Sequence, residues 1–237
     1  MARIVMDLQG LQTESRFRGI GRYTESLALA LVRKAAEHEV ILVLNQRFSG
    51  CLEDVIRLFS PYVPRKNILI FSVLDAGEYQ EADPSDRVRV EELLWASFVE
   101  ALKPDLVIIS SLFEGDDAAI GIGSIPRRYA LAIILYDLIP LMNPAQYLKD
   151  APFRALYLGK VEAAQKCDLF LAISESSRQE GFEYLGVEKQ RIFNIGAGYD
   201  AQKFRLRKVP EDRSQALKSS YGLDRPFIMA AGAADER

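Results

Sequence analysis

Seven short runs, most of them apolar on both faces, alternate with stretches of helical period along this chain of 237 residues. They lie at residues 3–7, 39–44, 67–72, 105–110, 129–135, 168–173 and 191–195. A half-buried strand alternates apolar and polar residues, whereas a strand apolar on both faces belongs in a parallel sheet covered by helices on both sides. The helical stretches fall where such a sheet needs its crossovers. Tyr23, Leu27, Ala30, Leu31 and Lys34 share a face of a helix over 21–36, and Val90, Leu94, Phe98 and Leu102 repeat at the same period. Further helices are predicted at 51–61, at 151–166 with Phe153, Leu156, Val161 and Ala164 on one stripe, at 176–185 and at 211–221. The predicted fold is α/β, a doubly wound, mainly parallel, Rossmann-like sheet.

Residues 1–200 account for that domain. Beyond Tyr199-Asp200 the chain becomes polar and basic through Gln202-Lys203-Phe204-Arg205-Leu206-Arg207-Lys208, so 201–225 reads as a linker and a helix. The run Phe227-Ile228-Met229-Ala230-Ala231 before Gly232 reads as one more strand, with no helix after it to cover it. A lone strand satisfies neither its backbone nor its faces. Residues 226–237 are therefore expected to open a second, truncated domain. Residues 80–86 read as an exposed loop and a helix cap.

Charge and composition exclude several classes. A net charge of −3 leaves no basic footprint for nucleic acid. Cys51 and Cys167 read as small core residues in a reducing compartment, and His38, the single histidine, reads as structural. Neither a zinc set nor a Ser-His-Asp triad follows from so few ligands. The N-terminus carries no signal peptide and no membrane span, so a cytoplasmic protein is expected. Arg65-Lys66, Arg127-Arg128 and Arg205-Leu206-Arg207-Lys208 leave open a peripheral contact with the inner face of the plasma membrane, beside their ordinary reading as solvated surface.

Ligands of open parallel sheets bind outside the carboxyl ends of the strands. After the first run comes Phe17-Arg18-Gly19-Ile20-Gly21-Arg22-Tyr23, where a strand hands over to a helix whose first N–H groups lack intrahelical partners. An anionic group is the natural guest there. The plainer reading of Gly19 and Gly21, a tight turn and a close backbone contact, stands beside it. Later loops carry Ser111 and Glu114, then Tyr136 and Asp137, then Ser174, Glu175 and Arg178, then Gly196 and Gly198. Hydroxyls, carboxylates and arginines thus gather on one rim, which suits a polyhydroxylated or phosphorylated ligand. Each also has a structural reading, above all Ser174 as a helix N-cap. A dinucleotide site is excluded, because the glycines come a dozen residues late, Thr24 stands at the third glycine position, and the second run closes on Asn45 rather than on an acid.

The loops in this order resemble the retaining glycosyltransferases of family 4, which have the GT-B fold of two facing Rossmann-like domains. The carriers are Phe17 to Tyr23, Tyr136-Asp137-Leu138-Ile139-Pro140-Leu141, Ala172 to Arg178 with Tyr184-Leu185-Gly186-Val187, and Ile195 to Asp200. Phe227 to Gly232 is similar to that family's entry into its second domain. The resemblance implies an enzyme that moves a hexose, mannose being one candidate, from a nucleotide sugar to a growing polysaccharide or lipid-linked glycan. It implies no cofactor and no metal. Gly19, Ile20, Gly21 and Arg22 would face the donor phosphates. Arg18, Tyr23, Ser111, Glu114, Ser174, Glu175 and Arg178 would meet the acceptor or the sugar, and Tyr136 and Asp137 would stand nearest the chemistry. Many relatives have His-Asp where this chain has Tyr136-Asp137, so a histidine role does not carry over. The catalytic glutamate pair would lie in the second domain, and these residues alone are expected to be inactive. The alternative from another class is a non-catalytic sugar- or phosphate-binding module. A sugar-nucleotide epimerase, the third reading, is opposed by the failed dinucleotide fingerprint.

Overall fold

The computed structural model describes residues 1–35, 37–73, 84–115, 118–199, 204–206, 208–223 and 225–229. The chain divides into two compact units, Met1–Gly198 and Tyr199–Arg237.

The first unit holds seven strands: β1 (Arg3–Asp7), β2 (Glu39–Asn45), β3 (Ile68–Phe71), β4 (Leu106–Ile109), β5 (Ala130–Leu135), β6 (Leu169–Ala172) and β7 (Ile192–Asn194). They form one sheet in the order β3-β2-β1-β4-β5-β6-β7, with every neighbouring pair parallel. Ile4 of β1, an interior strand, stands opposite Val40 on one side and Leu106 on the other. Period-two alternation then splits the apolar residues into two layers. Val5, Val43, Val107 and Ile109 join Trp95 and Phe170 on one face, while Met6, Leu42, Leu44 and Ile108 join Phe59 and Ala28 on the other.

The helices are α1 (Gly19–Lys34), α2 (Ser49–Phe59), α3 (Pro84–Ala101), α4 (Ile139–Met142), α5 (Pro144–Tyr147), α6 (Ala151–Gln165) and α7 (Glu175–Leu185). The strands lie at the predicted places, within a residue or so at each end. α1 starts two residues earlier than periodicity suggested, because Arg18 is extended and the helical backbone begins at Gly19 itself.

The inward face of α3 differs from the predicted stripe. Val90 and Leu94 are exposed, and Glu91, Trp95, Ala96 and Val99 are the buried residues. The helix is rotated by about one position, since the indole of Trp95 takes the deepest place and Glu91 follows it inward to meet Arg47. On α6, Phe153 is exposed and Tyr157 turns inward with Val161 and Ala164. The predicted loop at 80–86 lies mostly outside the described residues, and α3 begins at Pro84.

Both cysteines are buried, and burial pushes the Cys167 thiol up to about 12, so it is no nucleophile. His38 accepts a hydrogen bond from the backbone N–H of Ala2, which gives it the structural place expected of it.

In the second unit α8 (Glu211–Tyr221) has two carboxylates in its first turn and ends on Gly222 in the left-handed region. None of its residues is buried. Residues 226–229 have no regular secondary structure, and the remainder of the predicted strand at 226–237 lies outside the described residues. No helix among the described residues is long and apolar enough to cross a membrane.

Candidate functional site

β1 and β4 are neighbours, yet their connections leave in opposite directions, so the crevice at their carboxyl ends is the switch point of the sheet. There the chain leaves β1 through two 3-10 turns, Gln9–Leu11 and Glu14–Phe17, before α1 begins. The first turn is fixed by a buried polar network. Asp7 accepts from the Gln9 backbone N–H at 3.0 Å, from Gln9 Nε2 at 3.0 Å and from Trp95 Nε1 at 2.8 Å. Gln9 Oε1 in turn accepts from Asn45 Nδ2 and the Ala119 N–H, and Gln12 exchanges two bonds with the Asn45 backbone. Each of these side chains is essentially inaccessible, and a buried amide costs stability unless both of its ends are paired.

Asp7 is the one charged member, with no cation beside it. Burial raises its carboxyl to about 6, against the three hydrogen bonds that lower it. A carboxyl whose folded value exceeds its value of 3.8 when exposed binds a proton more tightly in the folded chain. Its contribution is therefore complete below pH 4 and is lost as pH rises through 6. Between pH 4 and pH 7 this group should lower the unfolding free energy by about 2 kcal/mol. Denaturant titrations across that range, on the native chain and on Asp7→Asn, should show a slope present in the first and missing from the second.

The second turn leads into α1. Thr13 accepts from the Ser15 N–H and starts the turn. Arg18 then stands at the N-cap of α1, and its side chain caps nothing. The N–H groups of the first helical turn are left without an intrahelical partner or a side-chain cap. Arg18, Gly19 and Arg22 are exposed there.

The two glycines differ. A Cβ on Gly19 would meet nothing within 4 Å, so this position borders open space. A Cβ on Gly21 would lie 2.3 Å from Arg16 Cα and 2.7 Å from its carbonyl carbon, so Gly21 is where the second turn presses on the helix. Of the two predicted phosphate-facing glycines, Gly21 is buried and has the packing role that the plainer reading assigned.

Tyr136 follows β5 and packs edge-on against Tyr23, with ring centroids 5.6 Å apart. Its hydroxyl lies 3.1 Å from Thr24 Oγ1 and donates to the Ile20 carbonyl at 3.4 Å. Burial drives its phenol well above the ordinary tyrosine value, and Tyr23 and Glu114 add to the shift. Tyr136 is thus an anchor of the helix start. Tyr23 itself donates to the Gly196 carbonyl at 2.6 Å, which ties the loop after β7 to α1. Asp137 is exposed, and its Oδ1 accepts from the Ile139 N–H at 3.3 Å.

Several other predicted residues are already occupied. Ser111 is 2% exposed and lies against Gly10, so it offers nothing to a ligand at the rim. Ser174 caps α7 by accepting from the Ser177 N–H at 3.0 Å. Glu175 accepts from Arg178 Nη1 at 2.6 Å and from Asn194 Nδ2, and the Arg178 bond holds its carboxyl below the usual range. Arg178 also lies over the Phe182 ring. These residues join α7 to β7. Glu114 differs from them. It accepts from Thr13 Oγ1 at 2.8 Å and Ser15 Oγ at 2.9 Å, and so holds the second turn against the end of β4.

The Asp7–Gln9–Asn45–Gln12–Trp95 network and the bidentate Arg47–Glu91 pair are absent from the sequence reading. The available signal was a polar residue closing each of two neighbouring buried strands, Asp7 on β1 and Asn45 on β2, where an apolar run should have continued. Among the described residues no group of three or more His, Cys, Asp or Glu side chains is arranged to hold a metal ion.

No family model matches the chain. A serotype-specific mannosyltransferase WbdA of Escherichia coli is 30% identical over 237 residues, which is 99% of this chain and 28% of that protein. Along nearly its whole length the chain is thus homologous to a stretch of that mannosyltransferase. A second WbdA of Escherichia coli is 27% identical over 214 residues, 89% of this chain and 26% of its own length. The chain thus spans little more than a quarter of the length of the curated relatives it matches.

Among solved structures, HepE of Anabaena in complex with UDP and glucose is similar at a TM-score of 0.52 and 16% identity, over 94% of this chain and 51% of that one. UDP-GlcNAc 2-epimerase of Neisseria meningitidis bound to UDP-GlcNAc is similar at 0.52 and 10% identity, over 94% of this chain and 53% of that one. These likenesses bear on the fold alone, the Rossmann-like α/β sheet. They also show that an epimerase can share this fold, so the missing dinucleotide fingerprint does not by itself separate epimerase from transferase.

Proposed function

We propose that residues 1–200 form the acceptor-side domain of a retaining hexosyltransferase, which moves mannose from a nucleotide sugar to a polysaccharide or lipid-linked glycan. In this reading residues 201–225 are a linker and helix, and 226–237 enter a donor-binding domain. The relatives named as mannosyltransferases support the sugar, and their similarity over nearly the whole chain favours transfer over epimerisation. The observation that carries the reading is the start of α1, uncapped and open at Gly19, on the rim that also holds Asp137.

Glycosyl transfer breaks the bond between the anomeric carbon and the diphosphate, and the leaving group keeps the electron pair. Fixed N–H donors at Gly19 and Ile20, with the helix dipole behind them and Arg22 beside them, stabilise that charge as it develops. Asp137, held by the Ile139 N–H and otherwise facing solvent, positions a sugar hydroxyl. The same reading places the protein in the cytoplasm. Its basic runs would bring it to the inner face of the plasma membrane when the acceptor is lipid-linked.

Gly19→Asp separates a phosphate-facing role from a structural one. A carboxylate in the first turn favours a helix by about 0.3–1 kcal/mol, while it repels a diphosphate from the same place. The variant of the full-length gene product should melt no lower than the native enzyme and show at least a tenfold loss of transfer, mostly as a raised KM for the donor. Unchanged kinetics with unchanged stability would return Gly19 to a turn residue.

A further inference from the structure

Beside the helix start lies a cavity of about 500 Å³, within the roughly 300–1,000 Å³ usual for small-molecule sites. Gln12, Thr13, Arg16, Arg47, Phe48 and Glu114 line it, and no role in the reaction proposed above uses it. We infer that this cavity is the subsite for one neutral, hydroxyl-rich sugar ring of the acceptor, with Glu114 as the group that reads its hydroxyls. The name acceptor rests on the transferase reading; the chemistry of the cavity does not.

Glu114 is 8% exposed. Its Oε2 is taken by the two hydroxyls of Thr13 and Ser15, while its Oε1 is buried without a hydrogen-bond partner. Arg16, on the same lining, has its Nε buried without a partner. Orphaned groups of this kind cost about 1–3 kcal/mol each, and more when charged. One orphan needs a donor and the other an acceptor. A hydroxyl group supplies both without bringing a charge, whereas an ammonium only donates and a phosphate brings negative charge up against the Glu114 carboxylate.

The charge on the lining points the same way. Glu14 and Glu114 share the lining with Arg16 and Arg47, and Arg47 is already bound in bidentate fashion by the buried Glu91. No excess positive charge remains to hold an anion. Phe48 adds an apolar wall of the sort that the C–H face of a sugar ring packs against. The contact of the Arg16 backbone with Gly21 makes the cavity wall and the start of α1 one body, so a ring in the cavity sits beside the place assigned to the donor phosphates.

The test is a ¹H–¹⁵N NMR titration of the purified chain with an α-linked mannobiose and, separately, with inorganic phosphate. Gly50→Trp plugs the cavity from its edge at a position where a Cβ meets nothing within 4 Å, so the fold is spared. Glu114→Gln keeps an acceptor for Thr13 and Ser15 and replaces the orphaned oxygen by a donor. Mannobiose should bind saturably and shift the amides of Gln12, Thr13 and Gly115. Both variants should weaken it at least tenfold, with the Gly50→Trp melting curve unchanged, and phosphate should shift none of these amides. No binding of mannobiose, binding indifferent to both substitutions, or phosphate seated at these amides would each overturn the subsite. Transfer by the full-length product that survives both substitutions would also overturn it and would leave the transferase reading intact. Mannobiose binding lost in both variants, beside a full-length product with no transferase activity, would uphold the subsite and overturn that reading.

Discussion

Trp95→Ala is expected to lower the unfolding free energy by about 3–5 kcal/mol, with the circular-dichroism midpoint in denaturant falling accordingly. Trp95 is fully buried in the layer that covers one face of the sheet, and its Nε1 donates to Asp7 Oδ2 at 2.8 Å. Truncation leaves a cavity and also takes a donor from a carboxyl that has no cation to replace it. Trp95→Phe separates the two effects, because it keeps most of the volume and removes only the hydrogen bond. That variant should cost about 1–2 kcal/mol and raise the Asp7 carboxyl further. A loss below about 1 kcal/mol for Trp95→Ala would mean that the network is not the keystone of the switch point.

The second large effect is at Gly21. Gly21→Leu forces its Cβ to within 2.3 Å of Arg16 Cα, against backbone that cannot swing aside as a side chain can. A loss of at least 1–3 kcal/mol is expected, the usual range for overpacking, together with exposure of the first-turn amides to hydrogen exchange. Gly19→Ala, two residues away and facing open space, should be neutral or should stabilise by up to about 1 kcal/mol through helix propensity. Two glycines that look alike in sequence thus give opposite results. Equal losses in the two variants would contradict the geometry of this turn.

Those glycines also mark what the sequence could and could not reveal. The order of elements was legible because strands buried on both faces carry unbroken apolar runs, and the ends of β1 and α8 fall where the pattern puts them. The inward face of α3 was not legible. Its apolar residues, Val90, Leu93, Leu94, Trp95 and Phe98, surround most of the helix, and only the pairing of Glu91 with Arg47 and the seat of Trp95 decide which way it turns. At the site, the convergence of loops followed from the parallel sheet, and Gly19 borders open space at the helix start. Ser174, Glu175 and Arg178 could not be separated from ligand-binding residues by type, since the hydroxyl, carboxylate and guanidinium that cap and brace a helix are those that bind sugars. The bracing role of Tyr136 was hidden for a similar reason. Its hydroxyl turns toward Thr24 and Ile20, contacts 112 and 116 residues away that no local pattern encodes.

The central claim is that this domain serves sugar transfer and needs a second domain to do so. The most direct measurement is transfer of mannose from a nucleotide-linked donor to a mannose-terminated acceptor, by the full-length gene product and by residues 1–237 in parallel, with the anomeric configuration of the product read by NMR. The account predicts turnover with retention for the full-length protein and none for residues 1–237, because in the proposed two-domain arrangement one domain alone can neither exclude water nor align the sugar. Turnover by residues 1–237 alone, or an epimerised nucleotide sugar with no glycan formed, would contradict it.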